Sequence, residues 1–340
     1  MMPIPVERYL GRESLEEELE KIFWQQCFVA HESDIAATND YFSFRLGQRS
    51  LTLRRFESEL ALFDNVCRHR FNLIDPPGFG NRQFRCSYHG WTYGPSGEAS
   101  FIPIREAFQS DPTPLESHPH RNVGGFVFKS EPSDVTDTVG EDLLGDMGHP
   151  AGGSFHRGAL HHRCNWKLMV ENVLEGYHLS MVHPDTFGKS GYTSSSRADE
   201  IHRGCDSLLT TYPHDRFAIH LTAKCPGVVP GYRHLFVFPN LFVSVTNDLI
   251  YFTSNLFPIA PDETILHYRL FATQRFAGLA SALQKHLRLE AIRFTETALN
   301  EDKEILERCQ LGMSCASGTY ALGNLERRIQ RFHESYLQRL

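Results

Sequence analysis

Positive charge is what this 340-residue sequence has least to spare. It carries 34 Lys and Arg against 41 Asp and Glu, a net charge of −7. That balance argues against nucleic acid or an anionic membrane surface as the main partner. No apolar run reaches the length of a membrane span. The acidic start, with Glu13, Glu16, Glu17 and Glu18, is unlike a secretory or mitochondrial leader. Cysteine is sparse too: eight residues are too few for a disulfide scaffold of this length. Six of them, Cys27, Cys164, Cys205, Cys225, Cys309 and Cys315, lie in or beside apolar runs and are expected as reduced, buried small residues. A reducing cytoplasm is the expected compartment. Internal repeats and low-complexity tracts are absent. The rest of the composition, 41% hydrophobic and 22% charged, is that of a globular protein with one large core or two moderate ones.

The remaining two cysteines stand in a pattern. Cys67-Arg68-His69 is followed, after sixteen residues, by Cys86-Ser87-Tyr88-His89. Each pair is tight enough to occupy the tip of one loop. Cys-x-His with Cys-x-x-His is the ligand set of a Rieske [2Fe–2S] centre, two thiolates on one iron and two imidazoles on the other. A Cys₂His₂ zinc site uses the same four residues, but zinc knuckles usually group two Cys apart from two His. The mixed order here favours the cluster. Asp75-Pro76-Pro77-Gly78-Phe79-Gly80-Asn81 and Gly90-Trp91-Thr92-Tyr93-Gly94-Pro95-Ser96-Gly97 supply turns around the two pairs, and their aromatics are positioned to shield a cluster.

Hydrophobic periodicity divides the chain. Ser14 and Glu17 have capping-box spacing, and Leu15, Leu19, Ile22 and Phe23 predict a short amphipathic helix over 14–24. Short alternating strands follow at Tyr41–Leu46, Leu51–Phe56, Leu60–Asp64 and Gly125–Lys129, which predict a small all-β domain. Residues 130–160, rich in Asp, Gly, Ser and Pro, read as a linker. A helix-like run from Leu168 to Leu179 opens a second domain. Strands are expected there at Leu208–Tyr212, Phe217–Thr222, His234–Phe238, Leu241–Thr246, Ile250–Phe257 and Thr264–Ala272, forming an antiparallel sheet with one wet face. Helices over 280–311 and 323–340 complete an α+β chain. The expected division is an N-terminal helical segment packed on the second domain (1–35), a cluster domain (36–132) and a catalytic domain (133–340).

A second group of ligand-type residues lies in the second domain. His178 and His183 are five residues apart, about 140° around a regular helix, and converge on one metal only if the helix breaks or ends between them. Pro184 makes an end plausible, because the residue before proline disfavours the α conformation. On the late helix, Leu287, Ala291, Phe294, Ala298, Ile305 and Cys309 share one face. Asp302 lies on that face and Glu301 at its edge, while Glu304 and Glu307 point away. A carboxylate on a buried stripe calls for a cationic partner. Two imidazoles and one carboxylate are the facial triad of non-haem iron(II) oxygenases.

Taken together, these segments resemble the α subunits of Rieske ring-hydroxylating oxygenases. The likeness is carried by Cys67-Arg68-His69-Arg70, Cys86-Ser87-Tyr88-His89-Gly90-Trp91, Asn165-Trp166-Lys167, Glu175-x-x-His178-x₄-His183 and Asp302, and it spans nearly the whole chain. The resemblance implies an all-β Rieske domain followed by a helix-grip-like catalytic domain. It also implies one [2Fe–2S] cluster on Cys67, His69, Cys86 and His89, and one Fe(II) on His178, His183 and Asp302. Glu175 stands where most of the family has Asp. By resemblance this carboxylate bridges an iron-ligand His to a cluster-ligand His of a neighbouring subunit, and Glu there points toward oxygenases of quaternary amines such as carnitine. Asn172, one turn earlier, is a further candidate for the site.

The implied activity is that of a terminal oxygenase that uses O₂ and reductase-supplied electrons to hydroxylate a small aromatic or amine substrate. The alternatives are oxidative N-demethylation or C–N cleavage of a quaternary amine, and a Rieske electron carrier without oxygenase chemistry. NAD(P)H enters only through a reductase or ferredoxin partner, for which Arg68, Arg70 and Arg85 beside the cluster histidines form a reasonable docking surface. A head-to-tail homotrimer is implied, with no nucleic acid or membrane partner. Leu208, Tyr212, Phe217, Ile219, Leu221, Phe236, Phe242 and Phe252 are candidate substrate contacts, and His161 and His162 read as structural.

Overall fold

The computed structural model describes residues 3–130, 141–187, 199–203, 207–212, 231–316 and 320–340. The chain forms two units, one of residues 24–134 and one that joins 1–23 to 135–340. Residues 24–35 therefore contribute a strand to the smaller unit.

The smaller unit contains strands β1 (Gln26–His31), β2 (Asp40–Leu46), β3 (Arg49–Arg55), β4 (Leu60–Asp64), β5 (Gly78–Asn81), β6 (Thr92–Tyr93), β7 (Ala99–Phe101), β8 (Ser117–His118), β9 (His120–Val123) and β10 (Phe126–Ser130). They form a three-stranded sheet β1-β10-β9, a five-stranded sheet β5-β2-β3-β4-β8 and the hairpin β6-β7. The expected strand at 60–64 is reproduced to the residue, and the others shift by one or two positions. Beneath the sheets, Arg54 Nη1 meets Asp75 Oδ2 at 2.5 Å with both side chains buried. Asn65 ties the loop after β4 to Asp75 by donating to its carbonyl and accepting from its N–H, both at 2.8 Å. This polar core fixes where the loop leaves the sheet, and so where Cys67 stands.

In the larger unit, helices α1 (Glu7–Leu10) and α2 (Arg12–Glu18) come first, and α2 runs on into a π turn at Leu19–Phe23. The expected capping box is not formed. The helix starts two residues before Ser14, with Gly11 as N-cap and no side-chain cap. Next come α3 (Glu141–Asp146), β11 (His156–His162), α4 (Trp166–Val173), α5 (Leu179–Val182), β12 (Asp199–Arg203), β13 (Ser207–Tyr212), β14 (Tyr232–Val237), β15 (Leu241–Thr246), β16 (Ile250–Ala260) and β17 (Glu263–Ala272). Helices α6 (Gln274–Ala277), α7 (Ser281–Cys315) and α8 (Arg327–Leu337) close the chain. The seven strands form one antiparallel sheet in the order β11-β17-β16-β15-β14-β13-β12. Helix α7, thirty-five residues long, contacts both α4 and α5.

The segment expected as a linker holds α3 and the edge strand β11. His-Arg-Gly-Ala-Leu-His-His is too polar to read as a strand, and its place at the sheet edge explains why it can be. The sheet has no wet face at its centre: Leu235, Val243, Tyr251 and Phe271 on one side and Phe236, Ser254 and Leu270 on the other are all buried. Of the polar residues on these strands, His234, Ser244 and Ser254 line a cavity, and Asn255 accepts from Arg269 at 3.0 Å. Cys27 and Cys164 are buried as expected, whereas Cys309 and Cys315 are exposed. On α7 it is Leu306, not Ile305, that is fully buried beside Ala298 and Leu287. The strand expected at 217–222, together with Cys205 and Cys225, lies outside the described residues. No helix among the described residues is long and apolar enough to cross a membrane.

The motif Asn165-Trp166-Lys167 anchors α4. Asn165 caps the helix by accepting from Lys167 N–H at 3.0 Å and donates to the Tyr9 and Pro261 carbonyls. Trp166 Nε1 donates to Glu18 at 2.7 Å, and its ring packs edge-on against Phe23 and Phe332. Lys167 Nζ, fully buried, donates to Glu18 at 2.6 Å and to the Arg8 carbonyl at 2.9 Å. Tyr336 OH supplies another bond to Glu18 at 2.7 Å. Three helices are thus pinned around one buried carboxylate.

Candidate metal centres

In the smaller unit the two Cys–His pairs sit on loops with the same backbone. Cys67 N–H donates to Asn72 O (2.9 Å) while Phe71 N–H donates to Cys67 O (3.0 Å). Cys86 N–H donates to Trp91 O (2.8 Å) while Gly90 N–H donates to Cys86 O (3.0 Å). Each loop turns through a left-handed residue at the same position, Phe71 at φ 58° and Gly90 at φ 76°. Phe71 adopts that conformation without being glycine, at a cost of roughly 1–2 kcal/mol. Repeating this turn brings the two thiols against each other, buried among Phe63, Ile74, Phe84, Trp91 and Tyr93.

The donors are prepared to bind. Burial opposes the Cys86 thiolate, but N–H bonds from Tyr88 and His89 and the Asn72 amide hold its pKa below the ordinary value. Burial raises Cys67, against the bonds it receives from Tyr93 and from His69 N–H. The His69 and His89 rings lie 4.4 Å apart. Trp91 stacks on His69 at 4.9 Å, and Tyr88 lies 3.8 Å from His89. Burial, with His89 and Arg70 adding to it, lowers the His69 pKa. His69 Nδ1 is buried with no hydrogen-bond partner among the described residues, an atom left for a ligand bond. Arg70 and Arg85 are exposed nearby, whereas Arg68 is tied to the Pro114 carbonyl at 3.1 Å.

In the larger unit, the break that His178 and His183 require is present. Helix α4 ends at Val173, and His178 and His183 occupy the two flanking positions of the one-turn helix α5. Their rings, 5.3 Å apart, face Asp302 on α7. Ligand atoms of His178, His183 and Asp302 all lie within 4.8 Å of one another, a convergence that no other group reaches among the described residues. Nε2 of His183 lies 3.0 Å, and Nε2 of His178 3.7 Å, from Asp302 Oδ1, which is buried and has no hydrogen-bond partner among the described residues.

The back of each imidazole is held by a carboxylate. Since a carboxylate can only accept, His178 Nδ1–H donates to Glu175 and His183 Nδ1–H donates to Glu301 at 2.8 Å. In the neutral tautomers that this fixes, both Nε2 atoms carry lone pairs aimed at the same point, the usual support for metal-bound histidine. Burial works against protonation of His183, yet Asp302 and Glu301 outweigh it and raise its pKa. The same negative field favours a cation. Glu175 also caps the turn by accepting the His178 backbone N–H at 3.1 Å. Glu301 is fixed by Thr186 Oγ1 at 2.8 Å. The sequence placed it at the edge of the buried helix face, apart from Glu304 and Glu307, but did not assign it this role. Glu304 is exposed as expected, and Glu307 accepts from Arg163 N–H at 3.0 Å.

The triad opens onto a cavity of about 250 Å³ bounded by α4, α7 and the sheet. Phe236, Phe242 and Phe252 line it as expected, joined by Phe187 and Phe294. Leu208 and Tyr212 lie on β13, and residues 217, 219 and 221 are outside the described ones. Asn172 lines the cavity beside the triad. His162, expected to be structural, is buried in the cavity wall, and burial pushes its pKa down to about 4. No Lys or Arg is among the described lining residues.

Comparison with known proteins agrees with both halves. Residues 25–117 match the family model of the Rieske [2Fe–2S] domain, and residues 153–340 match that of the ring-hydroxylating α subunit catalytic domain. The chain is 26% identical over 283 residues to the carnitine monooxygenase oxygenase subunit of Acinetobacter pittii, covering 78% of this chain and 74% of the relative. It is 27% identical over 356 residues to putrescine 2-hydroxylase of Ralstonia nicotianae, covering 98% and 94%. A solved quaternary ammonium Rieske monooxygenase, described for carnitine oxidation and inter-subunit electron transfer, shares the fold with a TM-score of 0.77 at 21% identity, covering 99% of this chain and 93% of that one.

Proposed function

The chain belongs to the ring-hydroxylating oxygenase α subunits, and from that premise we propose how its residues divide the work of a Rieske terminal oxygenase. Cys67, His69, Cys86 and His89 hold the [2Fe–2S] cluster, and His178, His183 and Asp302 hold a mononuclear Fe(II). The observation that carries this reading is the orphaned Asp302 Oδ1 facing two bare Nε2 atoms, each backed by its own carboxylate. Iron bound there would supply O₂ activation and oxygen insertion.

The rest is done by the chain. Glu175 and Glu301 keep the Nδ1 protons and aim the imidazoles. The aromatic wall of Phe236, Phe242 and Phe252 excludes water and seats an apolar substrate body. Asn172 offers an amide beside the triad. An electron carrier without oxygenase chemistry has no use for the triad or the cavity. A second substrate reading, oxidative attack on a quaternary amine, is favoured by the aromatic rings, which attract cations, and by the carnitine monooxygenase relative.

Electrons come from a reductase or ferredoxin, with Arg70 and Arg85 offering positive charge to an acidic carrier. The assembly is a head-to-tail homotrimer in which one chain's cluster loops meet the neighbour's Glu175. Exposed apolar side chains at both places support it: Phe71 (76% exposed) and Tyr88 beside the cluster histidines, and Tyr177 and Met181 (83% exposed) beside His178. A cytoplasmic location completes the proposal. The test is NADH-driven oxygen uptake with a generic reductase. Uptake is expected in the wild type, and none with Asp302→Ala; equal uptake by both proteins would reject the proposal.

One residue tunes the cluster. Arg68 N–H donates to the Tyr93 hydroxyl oxygen at 3.0 Å, so the hydroxyl proton is free to point at Cys67 Sγ, 3.1 Å away. Hydrogen bonds to cluster sulfur stabilise the more negative, reduced state. Tyr93→Phe is therefore expected to lower the midpoint potential, by on the order of 50 mV for a bond worth about 1 kcal/mol. Redox titration of the visible spectrum measures it, and an unchanged potential would contradict the role.

A further inference from the structure

Two serines in the cavity wall are left without a task. Ser244 on β15 and Ser254 on β16 are 7% and 6% exposed, and both line the cavity. Neither hydroxyl has a hydrogen-bond partner among the described residues. The strand register explains their setting. Ser244 pairs directly with Phe252, and Ser254 pairs directly with Phe242. Paired residues share a face of the sheet, so two hydroxyls and two phenyl rings alternate like squares on a board. The rings are 6.2 Å apart and inclined at 69°. The two serines sit diagonally, roughly 7 Å apart by sheet geometry.

Each hydroxyl opens onto the cavity, so a purely apolar ligand lying on it would strip it of water and leave it without a partner, which is costly. The charge of the cavity narrows what could satisfy the pair. With no Lys or Arg among the described lining residues, a carboxylate substituent lying against Ser244 and Ser254 would find no side-chain counter-charge there. Glu290, the remaining acidic lining residue, is exposed and already paired with Arg293 at 3.2 Å, so an ammonium group has no free carboxylate there.

We infer that Ser244 and Ser254 are specificity-determining residues that bind an uncharged oxygen substituent, a hydroxyl or carbonyl, on a substrate whose apolar body packs against Phe242 and Phe252. This rests on reading the cavity as the substrate site. A site built to hydrogen-bond such a group discriminates against the analogue that lacks it.

The test compares three probes of similar shape, ethylbenzene, 1-phenylethanol and 1-phenylethylamine, by calorimetric titration of the purified, iron-loaded protein. 1-Phenylethanol is expected to bind about tenfold more tightly than ethylbenzene. In the Ser244→Ala/Ser254→Ala double variant the two should bind within about twofold of each other, with ethylbenzene no weaker than before. Equal binding of alcohol and hydrocarbon by the wild type, binding of neither, or a preference that survives the double variant would overturn the inference. Tightest binding of the amine would overturn it in favour of a cation site. Binding is scored without turnover, and iron content separately. Failure of the oxygenase proposal would therefore register as missing iron, and failure of this inference as a missing preference.

Discussion

Asp302→Ala is expected to abolish mononuclear iron binding and all substrate oxidation while leaving the red-brown cluster spectrum intact. The physical reason is local. Asp302 Oδ1 is the acidic atom on which both histidine Nε2 atoms converge, and it has no hydrogen-bond partner among the described residues. Loss of a supporting group costs roughly 10–100-fold in metal affinity, and loss of a ligand should exceed that range. Glu301→Gln supplies the contrast. It keeps the ligands but lets the His183 Nδ1 proton lose its charged acceptor, so iron affinity should fall by about 10–100-fold with the metal still bindable. Iron titration of the apo-protein separates the two variants. Equal losses in both would show that Glu301 is itself a ligand.

The second large effect concerns stability. Lys167 and Glu18 are fully buried and face each other at 2.6 Å. Replacing Lys167 by Met strands the carboxylate, and breaking a buried pair in this way costs about 3–5 kcal/mol. Trp166 and Tyr336, which also bond Glu18, cannot supply its missing charge. Adding Glu18→Gln to Lys167→Met should restore a large part of the loss, because the uncompensated charge is then gone. Urea unfolding of the two singles and the double measures it. A single variant within about 1 kcal/mol of wild type would mean that water reaches Glu18. Since Asn165-Trp166-Lys167 fixes the start of α4, the same variant should weaken iron binding although it touches no ligand.

How much of this was readable in the residues depended on range. The proposed cluster ligands could be picked out because both Cys–His pairs are contained in short loops, where spacing limits the geometry. His178, His183 and Asp302 were legible as residue types. Their convergence needed the break between α4 and α5, of which Pro184 gave only the far edge. Glu301 was not legible: on a helix of thirty-five residues, being the carboxylate that reaches His183 depends on where α5 packs. Strand β11 was hidden by its edge position, which relaxes the demand for alternating apolar residues. The sheet was expected to have a wet face from the pattern of its strands, but His234, Ser244 and Ser254 line the cavity instead. Phe71 conceals the likeness of the two cluster loops, since sequence offers Gly90 for the left-handed turn in one and nothing comparable in the other.

The central claim is that one chain holds two unlike iron centres. Iron and acid-labile sulfide, counted together on freshly purified protein and on Asp302→Ala, test it most directly. About three iron to two sulfide per chain in the wild type, falling to about two and two in the variant, is the expected result. The same ratio in both proteins, or zinc in place of sulfide, would contradict it.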